Sequence, residues 1–141
     1  GSDASPASPR ANTLLAALPA DLRAVMKSIT KYSDNTGGGS DVASYVTSTT
    51  DYLPLLSEFE YHGARSYANS AEQNFQQQYE YYRAGNSKVH YKHDATGTAV
   101  HAWCRSVHAG YTDHFCLVNS NGNPSHGGAG ASWAVAPGFA A

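Results

Sequence analysis

The hydrophobic period changes along the chain, and that change limits the fold more than any other feature. Leu14, Leu15 and Leu18 repeat at helical spacing, as do Phe75, Tyr79 and Tyr82 further on. The pattern then gives way to strand-like segments, Thr98–Ser106 and His114–Asn119, and Asn121-Gly122 is a hairpin turn signal. Helices first and an antiparallel meander afterwards define an α+β chain. A length of 141 residues suits one domain of ordinary size.

Local signals place the elements. Residues 1–12, rich in Ser, Pro and Ala, read as an extended lead-in, and residues 13–141 as one domain. A first helix around Leu14–Leu18 precedes a second over Ala20–Met26; Pro19 suits a helix start, where its missing N–H is not needed. Ile29 and Tyr32 fall in an extended piece, and Val42–Thr50, β-branched and alternating, predicts a half-exposed strand. Ser57-Glu58-Phe59-Glu60 fits a capping box, with Gly63 to end the helical turn. The clearest expected helix covers Ser70–Ala84, capped by Ser70, stopped by Gly85, and burying its aromatic stripe in the core. Residues 127–132 are small and featureless, and Trp133–Phe139 is a last extended piece.

Composition excludes several function classes. Charged residues make up 14%, against a typical ~25%, and the net charge is -2. Nothing there favours nucleic acid or an anionic membrane surface as partner. No apolar run approaches the ~20 residues of a membrane span, so no membrane insertion is expected. The start, Gly1-Ser2-Asp3-Ala4-Ser5-Pro6, shows no signal-peptide pattern. Cys104 and Cys116 are too few for a disulfide framework; they read as two buried thiols, with a single bridge as the alternative.

Catalytic signatures are missing: no nucleophile elbow, phosphate-binding loop, dinucleotide fingerprint or H-E-x-x-H stands in the sequence. His90, His93 and Asp94, with His101, form a candidate zinc set, because three N/O ligands suffice for a catalytic zinc. Their spacing is non-specific, and surface histidines are the plainer reading. Cys104 has His101 three residues before it, on the opposite face of a strand. Cys116 lies between Phe115 and Leu117, in apolar company that raises a thiol pKa. No enzyme, metal or cofactor is expected. Calcium-dependent sugar binding needs clustered oxygens, and the tail holds a single acid, Asp113.

A compositional boundary carries more information. From Cys104 to Ser132, 29 residues contain no Lys, Glu, Gln, Met or Trp, whereas residues 1–103 contain fourteen. These five are the amino acids whose codons never end in a pyrimidine. A turn-rich hairpin using small residues accounts for the gap blandly. Randomised adenines in Asn codons (A-A-C or A-A-T) account for it sharply, since that route reaches every amino acid except those five.

Several separated motifs then carry a resemblance. They are Asp51-Tyr52-Leu53-Pro54-Leu55-Leu56-Ser57-Glu58-Phe59-Glu60, Ala64-Arg65-Ser66-Tyr67-Ala68-Asn69, and Gln78-Tyr79-Glu80-Tyr81-Tyr82-Arg83-Ala84-Gly85-Asn86-Ser87-Lys88. Trp103-Cys104-Arg105-Ser106, Phe115-Cys116-x-Val118, Gly122 and Val135-Ala136-Pro137-Gly138-Phe139 follow in order. Over roughly residues 13–141 the chain resembles the variable proteins of diversity-generating retroelements from gut bacteria and prophages. Ala102 and Val107 depart from the W-W-x-R-S-P run of that family. Related chains carry more sequence before position 1, so a leading strand or further domain is expected to be missing.

The resemblance implies a C-type-lectin-like fold, with helices packed on a small antiparallel sheet and a C-terminal variable hairpin region, about residues 101–133. It implies a non-enzymatic module that binds an unknown protein or glycan receptor, on a phage tail virion or a bacterial cell surface, as a possible trimer through regions outside this chain. The display positions would be Val107, His108, Ala109, Gly110, Tyr111, Thr112, Asp113, His114, Leu117, Asn119, Ser125, His126, Gly127, Gly128, Ala129, Gly130 and Ser132. The scaffold would be Trp103, Arg105, Ser106, Phe115, Cys116, Val118, Gly122, Pro137 and Phe139. The alternatives are an invariant structural or decoration domain of the same fold, and a metal enzyme built on His90, His93 and Asp94.

Overall fold

In the computed structural model, residues 5–141 are described. The chain is α+β, with short helices and antiparallel sheets. Two small helices, α1 (Leu14–Ala17) and α2 (Ala20–Val25), open it. The Thr13 hydroxyl accepts from the Ala16 N–H to cap α1. β1 (Ile29–Asp34) pairs with β2 (Val46–Asp51), in register from Ile29 opposite Asp51 to Asp34 opposite Val46. The expected strand over Val42–Thr50 therefore starts late, because Ala43–Tyr45 form a 3-10 turn.

The capping box forms in full. The Ser57 hydroxyl accepts from the Glu60 N–H at 3.1 Å, and Glu60 accepts from the Ser57 N–H at 2.9 Å. It starts α3 (Glu58–His62), which Gly63 ends at φ +70°. A short hairpin follows, β3 (His90–Tyr91) with β4 (Ala99–Val100). The last sheet has the order β5 (Ala102–Val107), β6 (His114–Val118), β7 (Pro124–Gly128). Gly122, at φ +83°, turns β6 into β7, and the Asn119 side chain accepts from the N–H groups of Asn121 and Asn123. The core lies where α3 meets β5 and β6: Leu56, Phe59, Tyr61, Ala68, Cys104, Cys116 and Val118. Both cysteines are buried free thiols. The C-terminus returns to the front of the chain, where the Lys27 N–H donates to Ala140 and the Gly138 N–H to Pro54.

Three expectations are corrected. The helix over Ser70–Ala84 is a 3-10 turn at Ser70–Asn74, an extended stretch, and α4 at Glu80–Arg83. Its cap is Asn69, which accepts from the Ala71 N–H. Tertiary bonds take the middle of the segment away from the helix: Gln76 donates to the Tyr32 carbonyl and accepts from the Ser57 hydroxyl, Gln78 donates to the Tyr61 carbonyl, and the Tyr79 N–H donates to the Glu60 carbonyl. The aromatic stripe is consequently no single face; Phe75 is exposed and stacks on Tyr32 with ring centroids 4.5 Å apart. The lead-in is not extended over residues 5–12: Ser5 and Ser8 bridge a turn, Pro6 is buried, and Arg23 donates to its carbonyl. Residues 1–4 of that lead-in lie outside the described residues. The stretch read as featureless begins inside β7, whose five residues pair one by one with β6.

Four buried acids, Asp34, Glu58, Glu60 and Glu72, brace these elements. Glu60 receives Lys31 at 2.6 Å and Arg105 at 2.9 Å. Burial opposes its charge, but the two cations and the capping N–H hold its carboxyl below the usual range. Glu58 accepts the backbone N–H groups of Ser66, Tyr67 and Ala68 at 2.9–3.0 Å. Glu72 accepts from the Asp34 N–H, the Ser106 hydroxyl and Gln76. Arg105→Met should cost about 3 kcal/mol, because it leaves Glu60 buried with one cation fewer; urea unfolding of the variant against the parent measures this.

Candidate functional site

Rings gather at one edge of the core-facing side of the last sheet. β6 and β7 are in strict register, so residues directly opposite share a face. His114 lies opposite Gly128 and Cys116 opposite His126, which puts both histidines on the face that carries the buried Cys116 and Val118. At the edge of that face the His114 and His126 Nδ1 atoms are 2.8 Å apart, a contact that requires one proton between them. His108 comes from the β5–β6 loop, its ring 4.5 Å from His126. Tyr111, 53% exposed, lies 4.6 Å from His108 and 5.0 Å from His114. Tyr67 closes the cluster at 4.7 Å from His126.

Each ring has an identifiable hold. The Gly110 N–H donates to His108 Nδ1 at 2.7 Å. Tyr67 stands in the loop whose N–H groups bind Glu58, so the buried carboxylate sets its position. The Ala109 N–H donates to the Tyr67 carbonyl at 2.9 Å, joining the two loops. Asp113 approaches His114 Nε2 only to 3.9 Å. Burial, then the neighbouring His126 and His114, then Arg65, push the His108 imidazole below its ordinary 6.5.

The structure divides the expected display set. His108, Tyr111, His114 and His126 are brought together, and Gly110, Thr112, Asp113, Ala129, Gly130 and Ser132 are exposed around them or on adjoining loops. Val107 and Gly128 are half-buried. Leu117, Ser125 and Gly127 face the other side of the sheet, with Trp103 and Phe115. Leu117 and Ala109 are buried, against the expectation that they are displayed. The Asn119 side chain accepts from the N–H groups of Asn121 and Asn123 in its own turn. A Cβ on Gly127 would meet Trp133 Nε1 at 3.2 Å and Leu117 Cδ2 at 3.3 Å, so that position is packed tight.

The expected scaffold divides too. Ser106, Cys116 and Val118 are buried, and Arg105 joins the acid network. Pro137 bridges to Leu55, and Trp103 and Gly122 are half-buried. Phe115 and Phe139, expected as scaffold, are 38% and 50% exposed. Trp103 meets Phe115 edge-on at 6.1 Å on the other face of the sheet. Tyr67 was missed by sequence reasoning: it lies on no periodic element, and only the loop's attachment to Glu58 brings it in.

The zinc set does not assemble. His90 meets Tyr61 in a T-shaped contact with ring centroids 5.5 Å apart, and His101 Nδ1 accepts from the Ser120 N–H. Among the described residues no three His, Cys, Asp or Glu side chains are placed to hold a metal ion. Both thiols are pushed up by burial, which leaves them un-ionised and poor nucleophiles. No helix among the described residues is long and apolar enough to cross a membrane. No protein-family model matches the chain, and no curated protein or solved structure matches it.

A pH dependence follows from three histidines. Burial lowers His62 to about 4, and lowers His90 and His108 as well. A histidine with a lowered folded pKa binds fewer protons folded than unfolded, so stability is lost as pH falls below 6.5 toward the lowered value. Melting temperature should therefore drop between pH 6.5 and about 4 through these groups. His62→Gln and His90→Gln, which leave the carboxylates untouched, should each flatten part of that drop in thermal melts across the window.

Proposed function

We propose that the chain is a non-enzymatic binding module that presents a varied surface on a fixed frame. One observation carries this reading: His108, Tyr111, His114 and His126 meet at an accessible surface, while the braces that hold the sheet lie elsewhere. Lys31, Glu58, Glu60, Glu72, Gln76 and Gln78 in these braces are of residue types that the segment 104–132 lacks altogether, and the segment itself contributes Arg105 and Ser106 from β5. Shape-based binding tolerates substituted side chains only where other elements fix the backbone. Tyr and His give such a surface rigid amphipathic contacts.

In this reading the module is a variable protein of a diversity-generating retroelement with a C-type-lectin-like fold. It is displayed on a phage tail or a bacterial surface toward a protein or glycan receptor. Adjacent DNA is the direct test. A near-identical repeat with Asn codons at 108, 111, 114 and 126, beside a reverse-transcriptase gene, supports it; absence of both removes diversification. The varied set is narrower than the sequence suggested, because Ala109, Leu117 and Gly127 are packed.

A second reading, an invariant structural or decoration domain, draws on the splitting of the expected display positions over two sheet faces. Sister copies with identical tails would favour it.

Tolerance also separates surface from frame. Single Ser replacements of His108, Tyr111, His114 or His126 should each cost under about 1 kcal/mol. Gly130→Ala should be neutral, since its Cβ meets open space, whereas Gly127→Ala should destabilise. Ser106→Val, which strips bonds from Glu72 and from the Glu58 N–H, should cost about 2–3 kcal/mol. Denaturant unfolding of the set checks the ranking, and a steep loss at the four ring positions would make them structural.

A further inference from the structure

Away from the imidazole cluster, an open cleft of ≈ 790 Å³ lies between the β3–β4 hairpin and the strand-like segment 132–135. None of the five clustered rings lines it. The segment runs along β5, with the Trp103 N–H donating to the Ala134 carbonyl and the Ala134 N–H to the His101 carbonyl. That pairing turns Trp133 outward, 41% exposed, with its ring at 4.6 Å and 71° to His101. The hairpin supplies Tyr91, 54% exposed, and the run Lys92, His93 and Asp94. His101 is pinned by the Ser120 N–H at its Nδ1, which fixes the edge that supports the indole.

Leaving a Trp and a Tyr open to water forgoes burial of large apolar rings, about 25 cal/mol per Å². Beside them, the side chains of Lys92, His93 and Asp94 make no hydrogen bond or ion pair among the described residues. A concave surface of this size, with flat apolar walls and a few convergent polar groups, has the form of a small-molecule site. The polar groups choose the ligand class. One ammonium and one carboxylate side by side give no net field for a phosphate or a polycation. A carboxylate with both oxygens unused calls for a pair of donors, which a proline-rich peptide lacks and would leave desolvated. A pyranose ring offers an apolar C–H face for the indole and vicinal hydroxyls for Asp94, Lys92 and His93.

We propose that this cleft is a metal-independent site for a neutral saccharide, with Trp133 as the stacking platform and Asp94 as the acceptor of vicinal hydroxyls. Of the expected display positions Ser132 alone lines the cleft, and the proposal does not depend on the display reading.

The test titrates the full chain with methyl glycosides of glucose, galactose, mannose and N-acetylglucosamine and with their disaccharides, reading tryptophan fluorescence and calorimetry. The expected result is saturable binding of at least one sugar, unchanged by EDTA. It should weaken by about tenfold or more in Trp133→Ala and Asp94→Asn, and persist in His108→Ser and His126→Ser. Far-UV circular dichroism confirms folding of each variant; should Trp133→Ala fail to fold, Tyr91→Ala and Asp94→Asn, both at exposed positions, carry the test. Absence of saturable binding across the panel, binding indifferent to Asp94→Asn, or Trp133-dependent binding of oligoproline instead of a sugar overturns the proposal.

Discussion

Arg105 reaches from β5 to three parts of the chain at once: Ser33 on β1, the Leu55 carbonyl, and Glu60 on α3. Glu60 is also held by Lys31, so β1, α3 and β5 converge on one buried carboxylate. Withdrawing a charge from water costs several kcal/mol unless partners replace the lost hydration. Among the described residues the four buried acids all have such partners, and those of Glu58 and Asp34 tie down segments that have little regular structure of their own. Glu58 orders residues 66–68 through their N–H groups. Asp34 accepts from the Thr36 and Gly37 N–H groups and from Asn69, and so fixes both the turn after β1 and the entry to the 3-10 turn. The fold depends on polar convergence as much as on its apolar core, which suits a chain whose helices are all six residues or fewer among the described residues.

That dependence explains which parts of the fold were legible in the sequence. The capping box at Ser57–Glu60, the stop at Gly63 and the Asn121-Gly122 turn are local devices, and local sequence specifies them. The segment 70–84 has good helix formers and an aromatic repeat, yet its glutamines hydrogen-bond to β1 and to the end of α3. A residue that completes a distant buried network gains more than its helical propensity offers. β7 escaped notice because Pro124, Ser125, Gly127 and Gly128 are poor strand formers. Its pairing with β6 and the turn at Gly122 impose the strand from outside.

The site was legible in part for similar reasons. Four of the five clustered rings stood out because they interrupt a tail of small residues. Tyr67 did not, since a buried carboxylate eight to ten residues back positions its loop. Phe115 and Leu117 show where pattern alone failed. They share a face by strand period, but one was assigned to the frame and the other to the surface. Leu117 is buried in a spot where Gly127 leaves room for the Trp133 indole to close over it, whereas Phe115 is left at the margin.

The two faces of the C-terminal sheet therefore face different demands. On one, Cys116 and Val118 enter the core, and His114 and His126 lie beyond its edge, so their replacement leaves no cavity. On the other, Trp103, Leu117 and Trp133 interlock over Gly127, and a change in any one is felt by the rest. Trp has no pyrimidine-ending codon, so no Asn codon altered at its adenines alone can yield it. The tryptophans are thus outside any such randomisation, and they stand on the face where close packing would punish it. Substitution of the rings beyond the edge of the first face would therefore leave the close packing of the second untouched.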